Sequence, residues 1–219
     1  MSITELLAEF GHEYFSGYLT TLQLTFFSFL GAFIIGTVIT VARVSPIKPL
    51  RSFGNFYVQV FRNIPGAALL ILLVYALPYL SLVFSYYTCV LTATTLIPSA
   101  FLSEHLISGI NTIDKGQIEA ARSLGLTFSK IVSKILIPQA LRSTVLHMTN
   151  LLVATMLTTA LASQVPLSPL DLTGLVAHIN THVTGGITAF IISAFLYCLT
   201  AVVIGQIGNR IDKKVRVIR

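Results

Sequence analysis

The sequence has no tryptophan, two cysteines and few charges: 14 Lys and Arg with 8 Asp and Glu in 219 residues. A soluble chain of this length needs a charged surface, and these side chains do not suffice to build one. Cys89 and Cys198 make neither a disulfide framework nor a metal signature; both fall within apolar runs and read as small core residues. No Gly-rich loop followed by Lys-Ser or Lys-Thr occurs, so no nucleotide-binding loop is recognisable in this chain. No apolar run carries a paired acid and base or a set of metal ligands, which argues against an enzyme embedded in a membrane. The opening MSITELLAEFGHEY lacks the basic start of a cleavable signal peptide, and none is expected.

What the chain has in quantity is apolar side chains, 54% of the total, with a mean hydropathy of +0.84. A membrane-crossing helix needs roughly 20 apolar residues, because each rises about 1.5 Å and the hydrocarbon layer is about 30 Å thick. Five runs qualify, at about 18–42, 64–83, 84–103, 143–165 and 186–208, the second and third separated by a tight turn near Leu80–Tyr86. The runs are continuous rather than alternating, so a β-barrel is not expected. The fold class read from the sequence is an all-α polytopic membrane protein with about five transmembrane helices.

The basic residues fall into three groups: Arg43, Lys48, Arg51 and Arg62; Lys115, Arg122, Lys130, Lys134 and Arg142; and Arg210, Lys213, Lys214, Arg216 and Arg219. With five spans all three lie on one side, and Glu5, Glu9, Glu13 and Asp171 lie on the other. Basic loops stay cytoplasmic, so the N-terminus is expected outside and the C-terminus inside. The formal net charge of +6 then reports topology, with some attraction of the tail to anionic lipid, and not nucleic-acid binding. The expected organisation is an extracytoplasmic segment 1–17, a transmembrane domain 18–212 and a basic cytoplasmic tail 213–219.

The longest polar stretch, NTIDKGQIEAARSLGLTFSKIVSKILIP at 111–138, stands between apolar runs on the cytoplasmic side. Asn111, Thr112 or Asp114 can cap a helix through Glu119–Leu124. Gly125 supplies a break, since glycine tolerates φ > 0 at a helix end. Thr127 can cap a second helix whose Phe128, Ile131, Val132, Ile135 and Leu136 form an apolar stripe, and Pro138 is expected to interrupt the chain before the next span. Ala120 and Ala121 offer a small-residue surface for close approach of another protein. An ordinary connecting loop is the plainer alternative.

These residues resemble a known motif. Glu119-Ala120-Ala121, three residues, Gly125, nine residues, then Ile135-x-Ile137-Pro138 is similar to the EAA motif of ABC importer permeases. FRNIP (61–65), SEHLISGINTIDKGQIEAARSLGL (103–126), IPQALR (137–142) and Asn150 resemble the polar amino-acid branch of that family. RVSPIKPLR (43–51) and SGIN (108–111) resemble its glutamate-uptake members. The resemblance covers about residues 18–212. It implies that Glu119, Ala120, Ala121, Gly125, Leu126 and Pro138 belong to a segment that docks on a separate ATPase. The implied partners are two ATPase subunits, a second permease copy or paralogue, an extracytoplasmic solute-binding protein and membrane lipid, with no nucleic acid. No cofactor or metal is expected in this chain, ATP being used by the partner. The sequence departs from the family where K-D-T-S-L-A-S is usual: residues 157–163 here read Leu-Thr-Thr-Ala-Leu-Ala-Ser.

Polar residues inside spans are costly, about 2.5–3.5 kcal/mol for a charge at mid-membrane, so they are candidates for a translocation path. The candidates are Arg62, Glu104, His147, Asn150, Thr159 and Ser163, with His105 beside Glu104. Glu104 and His105 suit a gate or a contact with the fourth span, or an interfacial position where Glu104 pairs with a nearby base. Arg62 can line the path or snorkel. His147 and Asn150 share a helix face, and Asn150 and Thr159 are close enough along one helix to line one cavity. Ser and Thr in spans also serve helix packing. His178 and His182, four apart in the outer 166–185 segment, read as a solvated pair. The function implied is the pore subunit of an importer for a polar amino acid, glutamate first, in the cytoplasmic membrane. The alternative is a self-sufficient secondary transporter or channel, which would want ion-coupling charges deep in its spans and inverted repeats.

Overall fold

The chain is described by a computed structural model covering residues 2–183 and 186–215. The described residues form ten α-helices, several lengthened by π or 3-10 turns. The first, α1, runs from Ile3 to Val44, and its Ser2 and Glu5 close a capping box. Its 42 residues extend about 63 Å at about 1.5 Å each, twice the hydrocarbon thickness. The stretch bearing Glu5, Glu9 and Glu13, expected as a separate segment, is therefore helix continuous with the first span, kinked at Phe10.

One face of α1 is a stripe of small and hydroxyl side chains: Gly17, Thr21, Thr25, Ser28, Ala32, Gly36 and Thr40. In lipid there is no hydrophobic drive to join helices, so close packing has to do it. From Ser28 to Thr40 the stripe lies against α4 (Tyr86–Asn111), while Gly17 and Thr21 lie against residues 170–172. A Cβ on Gly36 would sit 2.6 Å from the Ser99 carbonyl oxygen, and one on Gly31 2.8 Å from Thr95 Cγ2. Ser28 and Thr94 hydroxyls meet at 2.6 Å, and the Thr40 and Ser103 hydroxyls meet at 3.1 Å. Thr21, Thr25 and Thr40 also donate to the carbonyl four residues back, so their burial leaves no polar group stranded.

Among the described residues four helical segments are long and apolar enough to cross a membrane: α1, α4, Val145–Gln164 and α10 (Gly186–Val215). The expected second span is different. Helix α2 (Lys48–Asn63), an amphipathic helix, meets α3 (Gly66–Ile71) at a bend of 103°, and a π turn (Leu72–Ala76) and a 3-10 turn (Leu77–Leu80) complete the segment. The 15 residues Gly66–Leu80 reach only about 22 Å as helix, so the bent pair is a broken span or a re-entrant loop, and the described residues hold four spans, or five if the pair counts as one. Helix α4 continues to Asn111, past the expected end at 103, through the polar SEHLISGIN. Ser81 is left-handed, φ 60°, and turns the chain towards α4.

The rest of the chain is α5 (Lys115–Ser123), α6 (Phe128–Ile131) with a π turn at Val132–Leu136, α7 (Ile137–Ser143), α8 (Val145–Thr158) with a 3-10 turn at Thr159–Gln164, and α9 (Leu172–His182). Pro138 does not interrupt the chain as expected. A proline lacks an N–H and its ring clashes with the carbonyl four residues back; a π turn ends immediately before Ile137-Pro138 and widens the helix there. The same arrangement precedes Leu77-Pro78. Asp171 caps α9, accepting from Thr173 and Gly174 amides, and its burial pushes the carboxyl above the usual carboxylate range against the pull of those two bonds. Cys89 is buried and Cys198 exposed, both as free thiols. Of the expected basic tail, Lys213 and Lys214 end α10, while Arg216 and Arg219 lie outside the described residues.

Candidate functional site

The polar stretch folds as a hairpin of short helices against the C-terminal ends of α1 and α4. Asp114 caps α5, its Oδ1 accepting from the Gly116 amide at 2.6 Å. Helix α5 ends in a Schellman motif. The Leu126 amide bonds Ala121 O at 3.1 Å, the Gly125 amide bonds Arg122 O at 2.9 Å, and Gly125 has φ +76°. The apolar contact that accompanies this motif is made by Ala121 and Leu126, which join Ile113, Ile131, Val132 and Leu136 in one cluster with Val41 and Val44 of α1. Gln139 Nε2 donates to Gln117 Oε1 at 2.9 Å and ties α7 back to α5. The expected apolar stripe is buried at Ile131, Val132 and Leu136, half-buried at Ile135 and exposed at Phe128.

Ala121 corrects the expected small-residue surface. It is 3% exposed, because its face of α5 packs into the apolar cluster of Ile113, Ile131, Val132 and Leu136. Ala120 and Glu119 are exposed, Leu126 and Pro138 half-buried. The residue missed from the sequence is Leu124, which stands 81% exposed at the end of α5. An isolated leucine at a helix end has no periodicity to betray it. The tip of the segment thus presents Glu119, Ala120, Leu124 and Gly125 to whatever lies beneath.

Near the C-terminal ends of α1, α2 and α4, Arg43, Arg62 and Glu104 form a cluster. Arg43 Nη2 lies 2.9 Å and Arg62 Nη1 3.3 Å from the same Glu104 Oε1. Arg43 also donates to Ser103 Oγ at 3.1 Å and Asn55 Oδ1 at 3.0 Å. The Arg62 guanidinium lies 5.4 Å over the Phe101 ring. His105 and His147 have ring centroids 5.3 Å apart, so α4 and α8 touch here. Both sequence readings of Glu104 and His105 contribute: Glu104 pairs with bases and His105 meets the fourth span.

Along α8, His147 and Asn150 are exposed, but Thr159 is fully buried and donates to Met156 O at 2.7 Å. Nine residues are two and a half helical turns, so Asn150 and Thr159 lie on opposite faces and do not line one cavity. Ser163 lies at the C-terminal end of the segment, half-buried, and with Gln164, Val165, Pro166, His178 and Thr181 lines a depression of about 420 Å³. His178 and His182 are exposed with ring centroids 4.2 Å apart. Among the described residues no group of three or more His, Cys, Asp or Glu is placed to hold a metal.

Residues 32–217 match the family described as binding-protein-dependent transport system inner membrane component. The chain belongs to that family. This permease is 36% identical to the glutamate transport system permease protein GluC of Corynebacterium efficiens over 174 residues, 74% of this chain and 76% of the relative. It is 34% identical to the probable glutamine ABC transporter permease protein GlnM of Bacillus subtilis, over 65% of each chain. It also resembles a putative glutamine transport permease of Rickettsia typhi, 30% identical over 90% of each chain. Among solved structures, the permease is similar to a chain of an amino acid ABC transporter crystallised with histidines, with a TM-score of 0.87, 25% identity and coverage of 98% and 99%. A chain of the MetNI methionine transporter, 23% identical with a TM-score of 0.76, shares the fold.

Proposed function

We propose that the chain is the pore-forming subunit of an ATP-driven importer for a polar amino acid, glutamate before glutamine, in the cytoplasmic membrane. ATP hydrolysis belongs to a separate chain. The observation that carries the reading is the hairpin at 111–138: a short helix closed by a Schellman turn, braced from behind, with Glu119, Ala120 and Leu124 turned outward. A segment so presented on the basic face of the chain suits a groove on an ATPase subunit. The charge pattern puts the N-terminus outside and this hairpin inside.

Closure of the ATPase dimer around ATP pushes the hairpin, and through α4 and α7 the pore exchanges inward for outward access. The driving force is the difference in ATP affinity between the two states. A second permease copy or paralogue completes the pore, and an extracytoplasmic binding protein delivers substrate. Glutamate is put first because RVSPIKPLR and SGIN resemble glutamate-uptake members and because the Corynebacterium relatives are named for glutamate. A self-sufficient transporter finds no support: the charges at Arg43, Arg62 and Glu104 lie at the inner ends of the helices rather than deep within them.

The test is uptake of labelled glutamate and glutamine into vesicles holding permease, ATPase and binding protein, with each unlabelled amino acid as competitor. Glutamate is expected to compete best, and uptake to require ATP. Uptake without ATPase would overturn the importer reading. Competition by glutamine alone would move the substrate and leave the importer standing.

A further inference from the structure

The two arginines on Glu104 are held unequally. Arg43 comes from the last turn of α1 and makes three bonds, to Glu104, Ser103 and Asn55, with its side chain 13% exposed. Its stem lies against Gly54, where a Cβ would fall 2.7 Å from Arg43 Cγ. Arg62 makes one longer contact to the oxygen Arg43 already occupies and lies 5.4 Å over the Phe101 ring, with no hydrogen bond to Ser103 or Asn55, and its side chain is 40% exposed. An ion pair with a solvent-exposed partner is weak and readily broken, whereas a partly buried one with added hydrogen bonds is costly to lose. If Arg62 leaves, Glu104 keeps Arg43 and no charge is stranded.

The placement gives this asymmetry a use. Arg62 is in the last turn of α2, immediately before the 103° bend into α3. Glu104 is seven residues before the end of α4, which leads through Asp114 into the exposed hairpin. Deeper along α2, Tyr57 meets Ser99 at 2.6 Å and holds the two helices together whether or not Arg62 is engaged.

We propose that Arg62–Glu104 is a breakable latch between the broken second span and the helix that carries the hairpin, with Arg43–Glu104 as its fixed half. Arg62 and Glu104 are positioning residues: engaged, they hold the bend closed on α4, and released, they let α3 move when the hairpin is pushed. The inference rests on the importer reading above.

The test compares Arg62→Gln, Arg62→Lys and Arg43→Gln in the full complex in vesicles, reading complex yield, ATP hydrolysis without binding protein, and substrate moved per ATP. Arg62→Gln is expected to assemble normally, to raise binding-protein-independent hydrolysis at least threefold and to lower substrate per ATP at least threefold. Arg62→Lys keeps the charge and should restore most of the ratio; Arg43→Gln should lower yield. An Arg62→Gln complex of normal yield and wild-type ratio would overturn the latch. So would loss of assembly in Arg62→Gln together with a normal ratio in Arg62→Lys, which would make the contact a fixed brace. Failure of any ATPase to co-purify with the wild type would instead overturn the importer reading.

Discussion

A Cβ at Gly125 would meet nothing within 4 Å, so space does not demand a glycine there. The backbone does: at φ +76° an ordinary side chain costs roughly 1–2 kcal/mol. Asn tolerates this region better than other residues. Gly125→Asn is therefore expected to keep most transport, while Gly125→Val loses about tenfold, which corresponds to about 1.4 kcal/mol. Equal transport by the two variants would mean the turn is dispensable. Leu124 faces outward, so Leu124→Asp should leave insertion and permease stability unchanged but reduce co-purification of the ATPase severalfold. On α8, Asn150→Leu should lower transport at unchanged yield, since its side chain is exposed beside His147, whereas Thr159→Val acts on packing and should lower thermal stability instead.

Between α1 and α4 the element-scale contact is set by absent side chains. Gly36→Ala places a methyl 2.6 Å from a backbone oxygen that cannot rotate away, an overpacking of about 1–3 kcal/mol. Gly205 of α10 has nothing within 4 Å, and Gly205→Ala should be neutral or mildly stabilising, because alanine is the better helix former by about 1 kcal/mol. Thermal unfolding of the two variants in detergent separates them; a stable Gly36→Ala would show that α1 and α4 slide freely. The two proline-linked π turns differ in setting: Pro78 closes a short broken span and Pro138 joins the hairpin to α7. Pro138 would be a stop only in an unbroken α-helix, where its ring meets the carbonyl four residues back. A wider turn removes the clash at lower cost.

For the whole molecule the orientation is the testable quantity. In a background with Cys89 and Cys198 replaced by Ser, a cysteine at Ser2 should label with an impermeant reagent added outside. One at Ser129, exposed on the hairpin, should label only after permeabilisation. The reverse pattern would contradict the reading from Lys and Arg. Four of the five expected spans, the hairpin and its Gly125 turn were legible in the sequence, and the cap was narrowed to Asn111, Thr112 or Asp114, because each follows from local rules: hydrophobic run length, capping chemistry and the freedom of glycine. The same rules do not say which of Ala120 and Ala121 faces outward.

That choice belonged to the tertiary structure. Ala121 was buried and Ala120 left exposed by the cluster that Val41 and Val44 of α1 complete from more than 70 residues away. Thr159 was turned inward by packing, although its distance from Asn150 along the chain had suggested a shared cavity. The 103° bend escaped the sequence because a hydropathy run records apolar length and not direction. Arg43, counted only as a topological charge, became the fixed partner of Glu104 because α1 ends beside α4. Hydrophobicity and local backbone preference are properties of short stretches and can be read from them; pairing across helices depends on which distant stretches meet, and only the packed fold supplies that.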